Sequence, residues 1–478
     1  MKIKLFSAFM IMALVLGFGF SGASADAYNT AFTTAITYQN VGDAPTTQLK
    51  VAFYDSPSDT TPTEITRPNL NPGASDSLYI GGLDQTVVGN GFQGAAVMTA
   101  DQPLLATLVQ LAQPSATTPV KNRPLSNGFS EGAPQALIAT VLKNTFGVNS
   151  IFSVQNVGTS ATTATARFYN LSATQVHSIA QALEPGAAFY VDAGTIAQLG
   201  ASFNGSVVVE TTGGTGSIVA TSMELGVGSN VARAFEGVGT GATTFYMPSA
   251  LSNFTTAYGV QDTAYAVQNT STTNNANVTV TYSNGLTQQA TIGPGAKATF
   301  VTDQTTGMPD NFIGAATITS NQPVIAIGKA YDNVSGLTTA FLGASSGANK
   351  VALPYVRWAT DANWGSSSTN VLTQRVFIAI QNIGGAPLAA GSVIVEYYDF
   401  NGTLRGTHTL GAIPVGGKVN SNATNAGLTE FGFYGGKFGG GAIVKGPAGS
   451  QLAVVARVAT LISPTVLVGE DYNGMPAP

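Results

Sequence analysis

One sequence paragraph occurs four times in this chain, and that repetition constrains the fold more than any other feature. An apolar strand running into Gln-Asn appears as Tyr38-Gln39-Asn40, Val154-Gln155-Asn156, Val267-Gln268-Asn269 and Ile380-Gln381-Asn382. Successive Gln residues lie 116, 113 and 113 positions apart in the 478-residue sequence. Self-similarity at a fixed period implies repeated structural units, here of about 110 residues, a length that can bury a core of its own. It also sets a standard for function: a feature present in one copy has to be weighed against three copies that lack it.

The third copy reads most clearly. Ala264-Tyr265-Ala266-Val267 predicts a strand, and Asn269 opens a Thr/Asn-rich turn in which Asx side chains bond their own backbone. Val278 to Tyr282 alternates apolar and hydroxyl residues, the pattern of a strand with one buried and one wet face. Asn284-Gly285 and Pro294-Gly295 mark turns, and Asn321-Gln322-Pro323 is expected to turn the chain between strands Ala315–Thr319 and Val324–Ile327. No long stretch carries a 3.6-residue apolar period, so each unit is expected to be all-β, with about seven short strands.

The other copies repeat these marks. Phe53-Tyr54, Phe168-Tyr169 and Tyr397-Tyr398 correspond to Tyr282, and Pro72-Gly73, Pro185-Gly186 and Pro414-Val415-Gly416 repeat the Pro-Gly turn. Phe92-Gln93-Gly94, Phe203-Asn204-Gly205 and Phe438-Gly439-Gly440 match Phe312-Ile313-Gly314. Phe129, Phe235 and Phe341, each followed by a Gly-rich stretch, are read as recurring junctions, with Tyr472-Asn473-Gly474 resembling them near the end. The expected division is a leader at 1–25 and units at 26–128, 129–234, 235–340 and 341–478.

The leader follows from Lys2 and Lys4, an apolar run from Leu5 to Phe20, and Ala23-Ser24-Ala25, which predicts cleavage before Asp26. The apolar run is short for a membrane span, so a secreted mature chain with no membrane span is expected. There is no Cys, which removes disulfides, thiolate metal sites and Cys nucleophiles. Charged residues are 9% of the chain, and without the two leader lysines the formal charge is −7. A weakly acidic chain without basic clusters argues against nucleic acid as a partner.

The pattern resembles tandem immunoglobulin-like β-sandwich repeats of bacterial exported and cell-surface proteins. The likeness rests on the aromatic strand ending in Gln-Asn, the later Pro-Gly or Asn-Gly turn and the final strand after Gln-Pro. It departs from antibody-type domains in lacking the paired Cys and the core Trp. It implies four sandwiches in a row with a surface-layer or matrix role, and it transfers no functional residue.

Candidate chemistry is sparse. Gly343-Ala344-Ser345-Ser346-Gly347 matches the G-x-S-x-G nucleophile elbow in form, but it lies in a junction where the preceding unit has Gly239 opposite Ser345. His177 and His408 stand alone, without a second His at metal-ligand spacing. Ca²⁺ is the metal that exported oxygen ligands would suit. Asp471-Tyr472-Asn473-Gly474 and Asp361-Ala362-Asn363 are fragments of such a loop, without the full acidic run. No close carboxylate pair recurs, as a glycosidase would need, so no enzyme and no obligatory cofactor are expected.

Both Trp residues, Trp358 and Trp364, fall at the entrance to the fourth copy, near Tyr355. Exposed, these three would stack on sugar rings; buried, they would seal the interface between copies three and four, which is the preferred reading. The sequence thus points to a non-catalytic protein of the cell exterior that self-associates in a surface layer (S-layer), sheath or extracellular matrix. The alternative is an adhesin or carbohydrate-binding protein that meets cell-wall or extracellular polysaccharide through Tyr355, Trp358 and Trp364.

Overall fold

A computed structural model describes residues 26–478 apart from 90, 114–119, 333–335, 367–371, 435–436 and 465. The expected leader, 1–25, lies outside the described residues. Apart from a few single-turn 3₁₀ segments, the regular structure is all β, as the period-2 patterning implies.

Unit one holds β1 (Phe32–Asn40), β2 (Leu49–Tyr54), β3 (Thr63–Thr66), β4 (Ser75–Tyr79), β5 (Ala95–Ala100), β6 (Leu104–Ala112) and β7 (Leu125–Asn127). Unit two holds β8 (Gln135–Lys143), β9 (Val148–Asn156), β10 (Thr162–Asn170), β11 (Gln175–Leu183), β12 (Ala188–Asp192), β13 (Phe203–Thr211), β14 (Ile218–Gly226) and β15 (Ala232–Glu236). Unit three holds β16 (Ala242–Ser252), β17 (Phe254–Thr256), β18 (Gly259–Asn269), β19 (Ala276–Tyr282), β20 (Thr287–Ile292), β21 (Lys297–Val301), β22 (Phe312–Asp332) and β23 (Phe341–Leu342). Unit four holds β24 (Lys350–Leu353), β25 (Gln374–Asn382), β26 (Ile394–Asp399), β27 (Leu404–Thr409), β28 (Lys418–Ser421), β29 (Phe433–Tyr434), β30 (Lys437–Phe438), β31 (Gly440–Lys445), β32 (Leu452–Ser463), β33 (Val466–Asn473) and β34 (Met475–Pro476).

Unit two shows the plan: an antiparallel sheet β11-β10-β13-β8 faces a second sheet, β12-β9-β14-β15. Phe152 and Phe168 meet across the sandwich at 6.0 Å, with Val154, Val207, Val209 and Ile218 buried around them. Unit four repeats both sheets as β27-β26-β31-β24 and β28-β25-β32-β33, the first extended by β34. In unit three the expected turn at Asn321-Gln322-Pro323 is absent. The chain runs through these residues as one strand, β22, whose first half pairs with β16 and β19 and whose second half pairs with β18 and β23. The register slips here, Ala242 pairing with Val324 and Thr244 with Thr319, so the strand changes partners through a bulge rather than a turn.

The Gln-Asn signature has a physical cause. Each Asn is at most 1% exposed. Asn40 donates to the carbonyls of Ala44 and Leu70, Asn156 to Ser160 and Leu183, Asn269 to Asn274 and Ile292, and Asn382 to Ala386 and Ile413. Its Oδ1 accepts from the amide two residues on, at Gly42, Gly158, Ser271 and Gly384. One side chain thereby ties off two loops whose backbone would otherwise be buried unpaired. The neighbouring Gln donates to the carbonyl of the Pro-Gly turn, at Gly73, Gly186, Gly295 and Gly416. These four glycines have φ of 75, 86, 67 and 72°, a region other residues enter at a cost.

The junction reading needs one correction. β7, β15, β23 and β33 share a register in which Ser126, Phe235, Phe341 and Tyr472 oppose Leu108, Ser222, Gly328 and Ala456. Ser126, not Phe129, is therefore the counterpart of Phe235 and Phe341, and Phe129 is 38% exposed whereas those two are 1% exposed.

The units do not stand in a row. Each docks its Gln-bearing sheet on the first sheet of the unit before it, and the fourth closes on the first. Gln268 donates to Ser206 Oγ, Gln381 reaches the Ala316 carbonyl, and Gln39 packs on Gly441. Tyr190 Oη donates to the Gly94 carbonyl between units one and two. A head-to-tail contact repeated with a closing rotation makes a ring. β7, β15, β23 and β33 sit next to one another around its middle, β7 touching both β15 and β33.

Candidate functional site

The three aromatic residues singled out by sequence are packed into the scaffold. Tyr355 is 8% exposed, with its hydroxyl donating to Gln374 and the Arg357 guanidinium 4.5 Å above its ring. Trp358 is 6% exposed. It meets Phe377 edge-on, lies under Arg375, and its backbone exchanges hydrogen bonds with Phe431. Trp364 is half-buried and reaches unit three, its indole N–H donating to Tyr258 Oη at 3.0 Å beside Leu337, Leu461 and Leu467. Trp358 and Tyr355 thus fill the fourth unit, and Trp364 bridges the third and fourth. The three do not form a shared open face.

Ser345 is exposed in the junction after β23, and the bridge pairs Leu137–Val238 and Tyr246–Ala344 set it opposite Gly239. His177 packs against Phe168, and His408 Nδ1 lies 2.9 Å from Ser421 Oγ. Asp471 is held by both arms of Arg457 and by Thr339, and Asp361 pairs with Arg375, so a cation already answers each carboxylate. Among the described residues, no group of three His, Asp or Glu side chains is placed to hold a metal ion.

The polar chemistry concentrates where units meet. Glu224, fully buried, receives Lys329 of unit three at 2.8 Å together with Arg233 of its own unit, and Arg233 continues to Thr338. The two cations hold its carboxyl down at about 2 against the cost of burial, while burial lowers Lys329 to about 8. Lys297 and Lys418 stand at equivalent positions beside Gln268 and Gln381, and burial lowers both to about 7. Lys297 donates to the Gly205 carbonyl and Thr140 Oγ1 across the junction.

Around the axis, the Glu236 carboxylate accepts from the Asn127 amide, Asn127 donates to the Asn473 carbonyl, and Asn473 exchanges two bonds with Leu342. Glu470, 2% exposed, accepts from the Arg123 amide through Oε1, while Oε2 has no hydrogen-bond partner among the described residues; burial pushes its pKa up to about 8. Sequence reasoning missed these groups. Their spacing carries no motif, because each is completed by a residue from another unit. At the junction of units one and two a cleft of about 430 Å³ opens, lined by Pro57 and Gln93 on one side and Gln181 and Tyr190 on the other.

No family profile and no curated protein matches the chain. Among solved structures, it is similar to Thermotoga maritima 1070 at 19% identity over 22% of this chain and 94% of that one, with a TM-score of 0.19. A biofilm-associated protein BSP domain aligns over 94% of this chain and 91% of its own at 8% identity, with a TM-score of 0.14. A tetra-tandem repeat from the extending region of a large adhesion protein aligns over 95% and 97% at 11% identity, with a TM-score of 0.10. These likenesses are remote. Among the described residues, no helix is long and apolar enough to cross a membrane.

Proposed function

We propose that the chain is a non-catalytic structural protein of the cell exterior, a closed four-unit block that self-associates in a surface layer, sheath or extracellular matrix. The observation that carries this reading is the use of its polar and aromatic groups. Gln39, Gln268 and Gln381, Glu224, Arg457 and Trp364 are spent on holding unit to unit. The low charge supports it further, since packed copies would repel one another little.

The adhesin or carbohydrate-binding reading requires Tyr355, Trp358 and Trp364 to offer ring faces, and burial of the first two counts against that. Electron microscopy of the purified exported protein, with and without Ca²⁺, tests the proposal, alongside a pull-down on cell-wall polysaccharide. Ordered sheets or filaments are expected. A monodisperse monomer retained on polysaccharide would replace the structural reading with the adhesive one.

A further inference from the structure

One sheet edge breaks the repeat. In units two to four the late strand of the first sheet is flanked on both sides: β13 by β10 and β8, β22 by β19 and β16, β31 by β26 and β24. In unit one β5 pairs with β2, and no described strand takes its other side. The core registers the difference. Val207, Val209, Ala316, Ile318, Ala442 and Val444 are at most 1% exposed, whereas their counterparts Ala96 and Met98 are only half-buried. The facing unit registers it too: Gln155 is half-exposed, while Gln39, Gln268 and Gln381 are at most 2% exposed.

We propose that this edge is an acceptor slot for one extended strand donated by another polypeptide. An unpaired edge presents a row of free N–H and C=O groups, and adding a strand satisfies them. The complete units specify the donor's chemistry. Phe245 and Met247 of β16 oppose Ile318 and Ala316, and Val351 and Leu353 of β24 oppose Val444 and Ala442. Unit one has the same order, Ala96 then Met98, so the donor carries one apolar side chain facing Met98 and a long one two residues later facing Ala96.

In units two and three the matching strand also packs on the next unit, β8 against β18 and β22 and β16 against β25 and β32. A strand added beside β5 would in the same way meet unit two. The chain's own described residues do not fill the slot: Ala27 and Tyr28, just ahead of β1, are bonded to the Ser229 and Gly226 carbonyls of unit two. By the register of β8 and β9, the positions that match Ala136 and Ile138 precede Asp26 and lie outside the described residues.

The test uses the full chain as purified from the exported fraction and a synthetic peptide with the sequence Ala242–Ser252, read by calorimetry and amide hydrogen exchange. One peptide should bind per chain and slow exchange across Ala95–Ala100. The same peptide carrying Phe245→Glu and Met247→Glu should bind at least about tenfold more weakly. Absence of saturable binding, equal binding of the two peptides, or binding that leaves Ala95–Ala100 unchanged would overturn the proposal. So would full protection of those amides in the free chain, which would show the slot already filled by its own residues.

Discussion

Glu470→Gln should stabilise the protein, and by an amount that grows with pH. The folded chain buries this carboxyl at the junction of units four and one, where one oxygen accepts from the Arg123 amide and the other has no hydrogen-bond partner among the described residues. Its pKa is about 8 in the fold against an ordinary 4.5. Below pH 4.5 both states are protonated and the group is neutral to stability. Above it the unfolded chain releases a proton that the folded chain keeps, so stability falls as pH rises towards 8.

Each factor of ten between the two constants is worth about 1.4 kcal/mol. The penalty is then about 3 kcal/mol at pH 7 and about 5 kcal/mol above pH 8. An amide keeps the acceptor for the Arg123 N–H and cannot ionise, so the variant escapes this cost. Denaturant unfolding of both proteins at about pH 5, 7 and 8.5 reads the difference directly. The gap should be smallest, about 1 kcal/mol or less, at the lowest pH and open steadily. A gap that is flat with pH, or a variant that is less stable at the highest pH, would show that Glu470 is ionised in the fold and refute the reasoning.

Glu224→Gln should act in the opposite sense, destabilising by about 3–5 kcal/mol because Lys329 and Arg233 stay buried without their counter-charge. In the wild type the same carboxylate should contribute stability above pH 4.5 that is lost as pH falls towards 2, seen as an acid limb in thermal melts that the variant lacks. Asn156→Ala should cost about 2–4 kcal/mol, since the Ser160 and Leu183 carbonyls and the Gly158 amide lose a partner together; urea midpoints check it. Trp364→Ala should loosen the junction of units three and four by about 1–3 kcal/mol and leave polysaccharide retention unchanged. A loss of retention at an unchanged melting temperature would restore the sugar-stacking reading.

The sequence disclosed the units because their marks are local. Asn382 and Gly416 recur at fixed distances within one unit, and the bond from Gln381 to the Gly416 carbonyl explains why they travel together. Ring closure was hidden because its contacts join ordinary small residues far apart in the chain, such as Ser206, Ala316 and Gly441, which no spacing rule distinguishes. Phe129 misled because an aromatic before a Gly-rich stretch resembles Phe235, whereas the matching register position is Ser126.

The far side of β5 was less legible, because the positions that match β8 in unit two fall ahead of Asp26, outside the described residues. The Trp pair was ambiguous for a simpler reason. Burial decides between packing and stacking, and composition does not report burial.

Closure of four units into one ring is tested most directly by small-angle scattering from residues 26–478 in dilute solution. A compact particle of this length should have a radius of gyration of roughly 22–26 Å and a single-peaked distance distribution. A distinctly larger radius with the long tail of a rod would mean that the units stand in a row and that unit four does not meet unit one.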